Sequence, residues 1–378
     1  MILGVIPARG GSKGLKRKNL MEICGKPLIA WSIESAIESE LLDNFVVSTE
    51  DKEIKEVADF YGAQVLDRPH HLALDESTTI SVLKHVVEEL NPNIVVVLQP
   101  TSPLRNDDTI DKCLESFLSS GADNLVTGYY CKYREFGTYD NLRRQDYKGF
   151  FNDDGNVYIL KKELILTGRW SGDNIIRYVT EREENYEIDD NTDFYVVEKL
   201  LEKRLLDKLT PKVENIKLLA MDVDGVLTDG SMYYTEKGDE IKKFNTRDGK
   251  GIELIRNQGI KTAIITQEET EITKVRARKL KIDHLYQNVH DKAAAVVKIA
   301  KEENININQI AYIGDDFNDL ALLKTVGFSA TPADGIIENK RFVNYICRKK
   351  GGEGCVREFC EWIIKGNKQS KFENLSDK

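Results

Sequence analysis

The chain has 378 residues, 41% hydrophobic and 31% charged, with a formal net charge of −9; this length exceeds one ordinary core and favours two domains. No apolar run approaches the ~20 residues that a membrane span needs, and the acidic balance argues against nucleic-acid binding, which calls for a basic surface that neutralises phosphates. The six cysteines (Cys24, Cys113, Cys131, Cys347, Cys355, Cys360) are scattered without a CxxC pair, as expected of reduced thiols.

Residues 2–6 read as a buried strand and not as a signal peptide, because a glycine-rich turn follows and not a small-residue cleavage site. A cytoplasmic location is therefore expected. The turn Ala8-Arg9-Gly10-Gly11-Ser12-Lys13-Gly14, continuing through Lys16, Arg17, Lys18 and Asn19, puts backbone N–H groups and several cations where a triphosphate could lie. It is not a Walker sequence, and on composition alone it reads equally well as a solvated basic loop. Further apolar runs at 45–48 and 94–98 alternate with helix-like stretches, the rhythm of parallel α/β units. Glu187 and Asp189 stand two apart, so in an extended segment both carboxylates face one way and can hold Mg2+. The acids from Glu187 to Asp193 equally suit a helix N-terminus, with Asp190 or Thr192 as its cap. A charged amphipathic helix is expected over 193–209, broken by Thr210-Pro211-Lys212. That break sets the expected domains at 1–210 and 211–366, with a polar, aperiodic tail at 367–378.

The second half repeats the α/β rhythm at 216–221, 262–266 and 309–313. Asp222-Val223-Asp224 closes the first of these runs. Two carboxylates at i and i+2 on one face of a strand end allow the first to attack phosphorus while the second protonates the leaving oxygen. Thr266, Lys292 and the run Gly314-Asp315-Asp316-Phe317-Asn318-Asp319 follow.

Pro7-Ala8-Arg9-Gly10-Gly11-Ser12-Lys13-Gly14 with Lys18-Asn19-Leu20 resembles the opening of the CMP-sialate and CMP-KDO synthetases, which activate eight- and nine-carbon keto-sugar acids. Four later segments are similar to the same family: Arg68-Pro69 with Leu72-Ala73 and residues 75–79; Leu98-Gln99-Pro100-Thr101-Ser102-Pro103-Leu104-Arg105; Gly155-Asn156-Val157-Tyr158-Ile159; and Glu187-Ile188-Asp189 with Asp193-Phe194. The resemblance implies a Rossmann-like, three-layer α/β domain of the nucleotide-diphospho-sugar-transferase type that couples CTP to the acid and releases pyrophosphate. It also implies that Arg9, Ser12, Lys18, Asn19, Arg68 and Thr79 hold the nucleotide, Arg9 and Lys18 assisting the transfer. Gln99 would read the sugar, and Glu187 with Asp189 would bind Mg2+. Glu187 stands where the sialate branch usually has Asp, and Asn152-Asp153-Asp154 stands where relatives often carry Arg and Asn.

The second set of segments resembles the haloacid dehalogenase superfamily of phosphatases, implying a second Rossmann-like, three-layer domain. By that match Asp222 is the nucleophile, Asp224 the acid/base, and Thr266 and Lys292 hold the phosphoryl group. Asp222, Asp224 and Asp315, with Asp319 or Asp316, would form the Mg2+ site. Phe244-Asn245-Thr246-Arg247-Asp248-Gly249 and Gly351-Gly352-Glu353-Gly354 are similar to the capless branch that cleaves KDO 8-phosphate or sialate 9-phosphates. In that branch tetramerisation supplies the lid, with residues 348–357 as the candidate; an ordinary flexible loop is the alternative. Gln267 replaces the glycine common after Thr266 and could alter that turn or partly block the pocket. Glu268 and Lys279 fit the nine-carbon phosphatases as sugar-reading residues, although Glu268, Lys274 and Lys279 also suit an exposed helical salt-bridge face. The expectation is a bifunctional homotetramer, joined through the C-terminal domain, that dephosphorylates a nonulosonate 9-phosphate and couples the free acid to CTP. Two alternatives stand beside it: a second domain that is only an oligomerisation scaffold, and the same chemistry on KDO or a legionaminate-type sugar.

Overall fold

Continuous apolar runs such as Ile94-Val95-Val96-Val97-Leu98 read as strands covered on both faces, and Val95 to Leu98 are indeed fully buried. The computed structural model describes every residue except 13, 134–142, 144, 214, 239 and 377–378, with side chains also left aside at 210, 211 and 367–376. Lys13 of the glycine-rich turn therefore lies outside the described residues. The chain divides into two units, Met1–Leu201 and Glu202–Lys378.

The first unit is built on a seven-stranded sheet in the spatial order Gln64–Asp67, Asn44–Thr49, Ile2–Pro7, Ile94–Leu98, Phe150–Lys161, Asn124–Cys131, Ile175–Val179. Its first four strands are parallel, but Phe150–Lys161 runs antiparallel to both of its neighbours. The sheet is thus mixed, where the sequence rhythm suggested parallel units alone. The second unit carries a six-stranded, all-parallel sheet ordered His284–Tyr286, Lys261–Ile265, Leu218–Met221, Ile310–Ile313, Phe328–Thr331, Tyr345–Ile346. Both units are α/β, and ligand crevices in such sheets open at the carboxyl ends of strands where the winding reverses. Those points are the loops after Pro7 and Leu98 in one unit and after Met221 and Ile313 in the other.

The helix Asn191–Val213 does not break at Thr210-Pro211-Lys212. Its early residues Val197 and Leu201 pack with Leu15, Ile23, Leu28 and Leu104, whereas Leu209 and Val213 join the core around Leu219 and Met221. Burial of the late residues holds the helical period through a proline that local propensity would use as a stop. The two units accordingly meet inside the helix sequence, after Leu201 and ahead of the expected boundary at 210. At the other end, the helix Cys355–Ser376 continues past residue 366, where an aperiodic tail was expected. Among the described residues between Gly225 and Lys243 the chain makes only a short antiparallel hairpin, Tyr233–Tyr234 against Glu240–Ile241, and no cap domain. No helix among the described residues is long and apolar enough to cross a membrane.

Candidate active sites

Leu218–Met221 is wholly buried between two parallel neighbours, so the residue that follows it emerges at the floor of the crevice. That residue is Asp222. Lys292, the first residue of the helix Lys292–Glu302 behind its N-cap Asp291, reaches in with a side chain only 1% exposed. Its ammonium donates to Asp222 Oδ2 and to Asp319 Oδ1, both at 2.6 Å. Asp319 also accepts from the Tyr312 hydroxyl and from the backbone amides of Asp315 (2.9 Å) and Asp316 (3.2 Å). Asp222, Asp315 and Asp319 bring one carboxylate oxygen each to within 4.8 Å of one another.

Burial, with the nearby Asp319 charge, pushes Asp222 up to about 7 despite its bond to Lys292. Burial and the charges of Asp222, Asp319 and Asp316 push Asp315 to about 8. Asp315 Oδ1 is buried without a hydrogen-bond partner. Three acids thus exceed what one lysine balances, and three hard oxygen donors with one orphaned lone pair fit a divalent cation such as Mg2+. Gly225 shapes the same cradle. It sits at φ +76, and a Cβ there would overlap Asp315 Oδ2.

Asp316 is not part of this cluster, because its carboxylate caps the turn Phe317–Asp319. Asp224, expected as a side-chain ligand, stands outside it too. Its carboxylate faces Lys242, which donates to both oxygens at 2.8 Å, and accepts from Thr228 Oγ1 at 3.2 Å. Lys242 is a site residue that the sequence reading missed. Thr266 is buried at the end of Lys261–Ile265, its amide bonded to the Tyr286 carbonyl. Gln267 is exposed and is not among the residues with positive φ, so that turn needs no glycine. Glu268 reaches Lys242 at 2.6 Å, while Lys279 lies exposed in the last turn of Glu271–Leu280 and takes no part in that cluster.

The 348–357 segment, expected as a lid for a neighbour, is seated on its own chain. Gly352 N donates to Val226 O at 3.0 Å, Asn245 Nδ2 donates to Gly352 O at 3.1 Å, and Gly351 N to Asp334 Oδ1 at 2.9 Å. A Cβ at Gly351 would overlap Gly225 O, and one at Gly352 (φ +65) would stand 2.5 Å from Asp229 N. Asp248, fully buried, accepts from Arg357 N at 2.8 Å and so caps the following helix from outside.

In the first unit, Lys18 donates to Ile188 O at 2.7 Å and to Asp189 Oδ1 at 3.2 Å. Asn19 is buried and bonds the Arg9 carbonyl at 3.0 Å, fixing the turn. Arg9 reaches Leu74 O and Asp75, each at 3.0 Å, and Arg17 pairs with Asp51 and Glu53. Ser12 is half-buried in the loop, and Thr79 opens the helix Thr79–Leu90 behind its cap Thr78. Arg68 is buried against Ser48, donating to its carbonyl at 2.6 Å, and burial lowers its guanidinium to about 10. Gln99 is half-buried after Ile94–Leu98, its carbonyl taking the Ser32 hydroxyl at 3.0 Å. Glu187 and Asp189 occupy different surroundings. Burial raises the Glu187 carboxyl, which accepts from Thr101 Oγ1 at 2.7 Å, whereas the Asp189 side chain is 75% exposed and faces Lys18. Asp154, in the segment where relatives differ, is a structural acid whose oxygens take the Thr127 and Thr180 hydroxyls at 2.6 Å.

A cation-lined glycine turn at one switch point and an acid cluster with a buried lysine at the other are the parts of a nucleotidyltransferase joined to a phosphomonoesterase. Residues 3–209 match the Cytidylyltransferase family model, and residues 173–359 match that of the haloacid dehalogenase-like hydrolases. The chain belongs to the cytidylyltransferase family, with a haloacid dehalogenase-like second part. It is 30% identical to N-acylneuraminate cytidylyltransferase A of Danio rerio across 100% of this chain and 92% of that protein. It is 40% identical to the 3-deoxy-D-manno-octulosonate 8-phosphate phosphatase of Yersinia pestis across 45% of this chain and 90% of that protein. Among solved structures, the Moraxella catarrhalis phosphatase of the same name, in complex with magnesium, phosphate and KDO, is 37% identical over 46% of this chain and 99% of its own, with a TM-score of 0.43.

Proposed function

We propose that the second domain hydrolyses a nonulosonate 9-phosphate and that the first couples the released acid to CTP, giving the CMP-sugar and pyrophosphate. The observation that carries this reading is the grouping of Asp222, Lys292, Asp315 and Asp319 at one strand-end crevice. An Asp222 oxygen attacks phosphorus, the bond from phosphorus to the sugar oxygen breaks, and that oxygen takes a proton from Asp224. Water then cleaves the aspartyl phosphate, returning its proton to Asp224. Lys292 and Thr266 hold the phosphoryl oxygens. Asp222, Asp315 and Asp319 would hold Mg2+, which would supply positive charge to offset the negative charge of the phosphoryl group.

In the first domain the turn around Arg9, Ser12, Lys18 and Asn19, with Arg68 and Thr79, receives the CTP phosphates and base. Gln99 faces the acid, and Glu187 with Asp189 provides a second place for Mg2+. Transfer there rests on positioning and charge stabilisation. The protein is proposed to work in the cytoplasm, where CTP is available, as an oligomer that covers the exposed Tyr233, Tyr234 and Ile241 of the hairpin; a tetramer through the second domain fits. KDO 8-phosphate is the second reading, favoured by the 40% identity to a phosphatase of that name. Phosphate release with Mg2+ from KDN 9-phosphate, N-acetylneuraminate 9-phosphate and KDO 8-phosphate decides among them. Release from a nine-carbon ester that vanishes in Asp222→Asn supports the proposal. No release from any of the three, beside intact CTP-dependent pyrophosphate production, leaves the second domain as a scaffold.

A further inference from the structure

Lys242 follows the second strand of the short hairpin, and its side chain is 1% exposed. Its ammonium touches both oxygens of Asp224 at 2.8 Å and Glu268 Oε2 at 2.6 Å, and stands 3.3 Å from Glu240 Oε1. A buried ammonium needs a partner. One carboxylate would supply it; three carboxylates from three different segments make this lysine a junction. Two of them keep an open side, since Asp224 is 28% and Glu268 38% exposed. Each is thus held by Lys242 while part of its side chain stays open to solvent.

We infer that Lys242 is a specificity-determining positioning residue of the phosphatase site. It fixes Glu268 at a set distance from Asp224, so that the site selects phosphate esters whose neighbouring carbons carry free hydroxyls. The inference rests on the phosphatase reading and goes further by naming what surrounds the ester carbon. Asp224 marks the place of the leaving oxygen. The Glu268 carboxylate, paired with Lys242, offers acceptor oxygens, so it suits a hydroxyl and disfavours a second phosphate or a carboxylate. Because one ammonium spans both acids, their bonded oxygens lie no farther apart than two hydrogen bonds laid end to end. Oxygens on adjacent or next-adjacent carbons of an open polyol chain match that span. Without Lys242 the two carboxyl groups have no common tether and their spacing is no longer set.

The test uses the full-length protein with Mg2+ and two probes of one size, glycerol 1-phosphate and n-propyl phosphate, which differ only in the hydroxyls next to the ester carbon. A site built to bond a hydroxyl penalises the analogue lacking it, so wild type is expected to prefer glycerol 1-phosphate by about 10²-fold in kcat/KM. Lys242→Met is expected to collapse that preference at least ~10-fold, chiefly through the KM of the glycerol ester, and Lys242→Arg to keep part of it. Adding Glu268→Gln to Lys242→Met is expected to take the preference no lower than Glu268→Gln alone, since the lysine acts through the glutamate. A preference retained in Lys242→Met, additive effects in the double variant, or no preference in a wild type that hydrolyses a nine-carbon 9-phosphate overturns the inference alone. A wild type that releases phosphate from none of the esters overturns the phosphatase reading itself. Where Lys242→Met does not fold, Lys242→Arg and Glu268→Gln decide by the same ratio.

Discussion

Replacing Gly225 by alanine tests the acid cluster with a single methyl group. At φ +76 an L-residue costs about 1–2 kcal/mol of backbone strain, and the added Cβ would overlap Asp315 Oδ2 while standing 3.0 Å from Oδ1, where ordinary contacts begin at 3.4 Å. The carboxylate oxygen has to retreat by more than about 1 Å to leave that overlap, and misplacement by about 1 Å already costs on the order of 10²-fold in rate. Gly225→Ala should therefore lower kcat for phosphate release about 100-fold and shift the Mg2+ dependence to higher concentration, with a modest loss of thermal stability. Pyrophosphate production by the first domain, measured on the same sample, should be unchanged, because the atoms that the new Cβ meets all belong to Asp315 of the second domain. A folded Gly225→Ala protein with wild-type phosphate release and Mg2+ dependence would refute the placement of Asp315 in the site.

Other expectations follow from the same geometry. Lys292→Ala leaves Asp222 and Asp319 buried without their cation, and should destabilise the second domain by about 3–5 kcal/mol in calorimetry, with partial recovery on adding Mg2+. In the first domain, Lys18→Met removes a charged donor and should lower kcat/KM for CTP by roughly 10- to 100-fold in a pyrophosphate-release assay, leaving phosphate release intact. Asp248 gives a pH prediction. Burial raises its carboxyl from 3.8 to about 6, so the folded state binds the proton more tightly than the unfolded state. Stability should fall by about 3 kcal/mol as pH rises from about 4 through 6, and Asp248→Asn, which keeps an oxygen for Arg357 N, should flatten that slope in denaturant titrations. A steeper slope in the variant would reverse the assignment.

The residues that carry chemistry on strand ends were the most legible in the sequence. Asp222, Thr266 and Asp315 each close or follow an apolar run whose period announces a buried strand, whereas Lys292 opens a helix and was singled out by the phosphatase resemblance. The antiparallel Phe150–Lys161 was not visible, because strand direction depends on nonlocal pairing that a run of side chains does not encode. Lys242 was missed for a related reason. It sits in a short charged stretch, 236–243, that reads as solvated surface, and only the hairpin's return over the crevice buries it. The helix end at Val213 was misjudged because a proline is a strong local stop, whereas the packing of Leu209 and Val213 is tertiary. The choice of Asp319 over Asp316 likewise came from a capping turn whose geometry spacing alone does not resolve.

The seating of Gly351 and Gly352 against the 225–229 loop has a consequence for synthesis. The loop beside the nucleophile is completed by residues that leave the ribosome long after it, and Asp248 ties the same late segment to the helix Thr246–Arg256. At about 5–20 residues per second, roughly 6–25 s separate the two parts. During that interval the first domain already has its whole sheet, while the second gains Lys292, Asp315 and Asp319 only on the way and the glycines that wall the loop last. A growing chain would thus gain its transferase before its hydrolase.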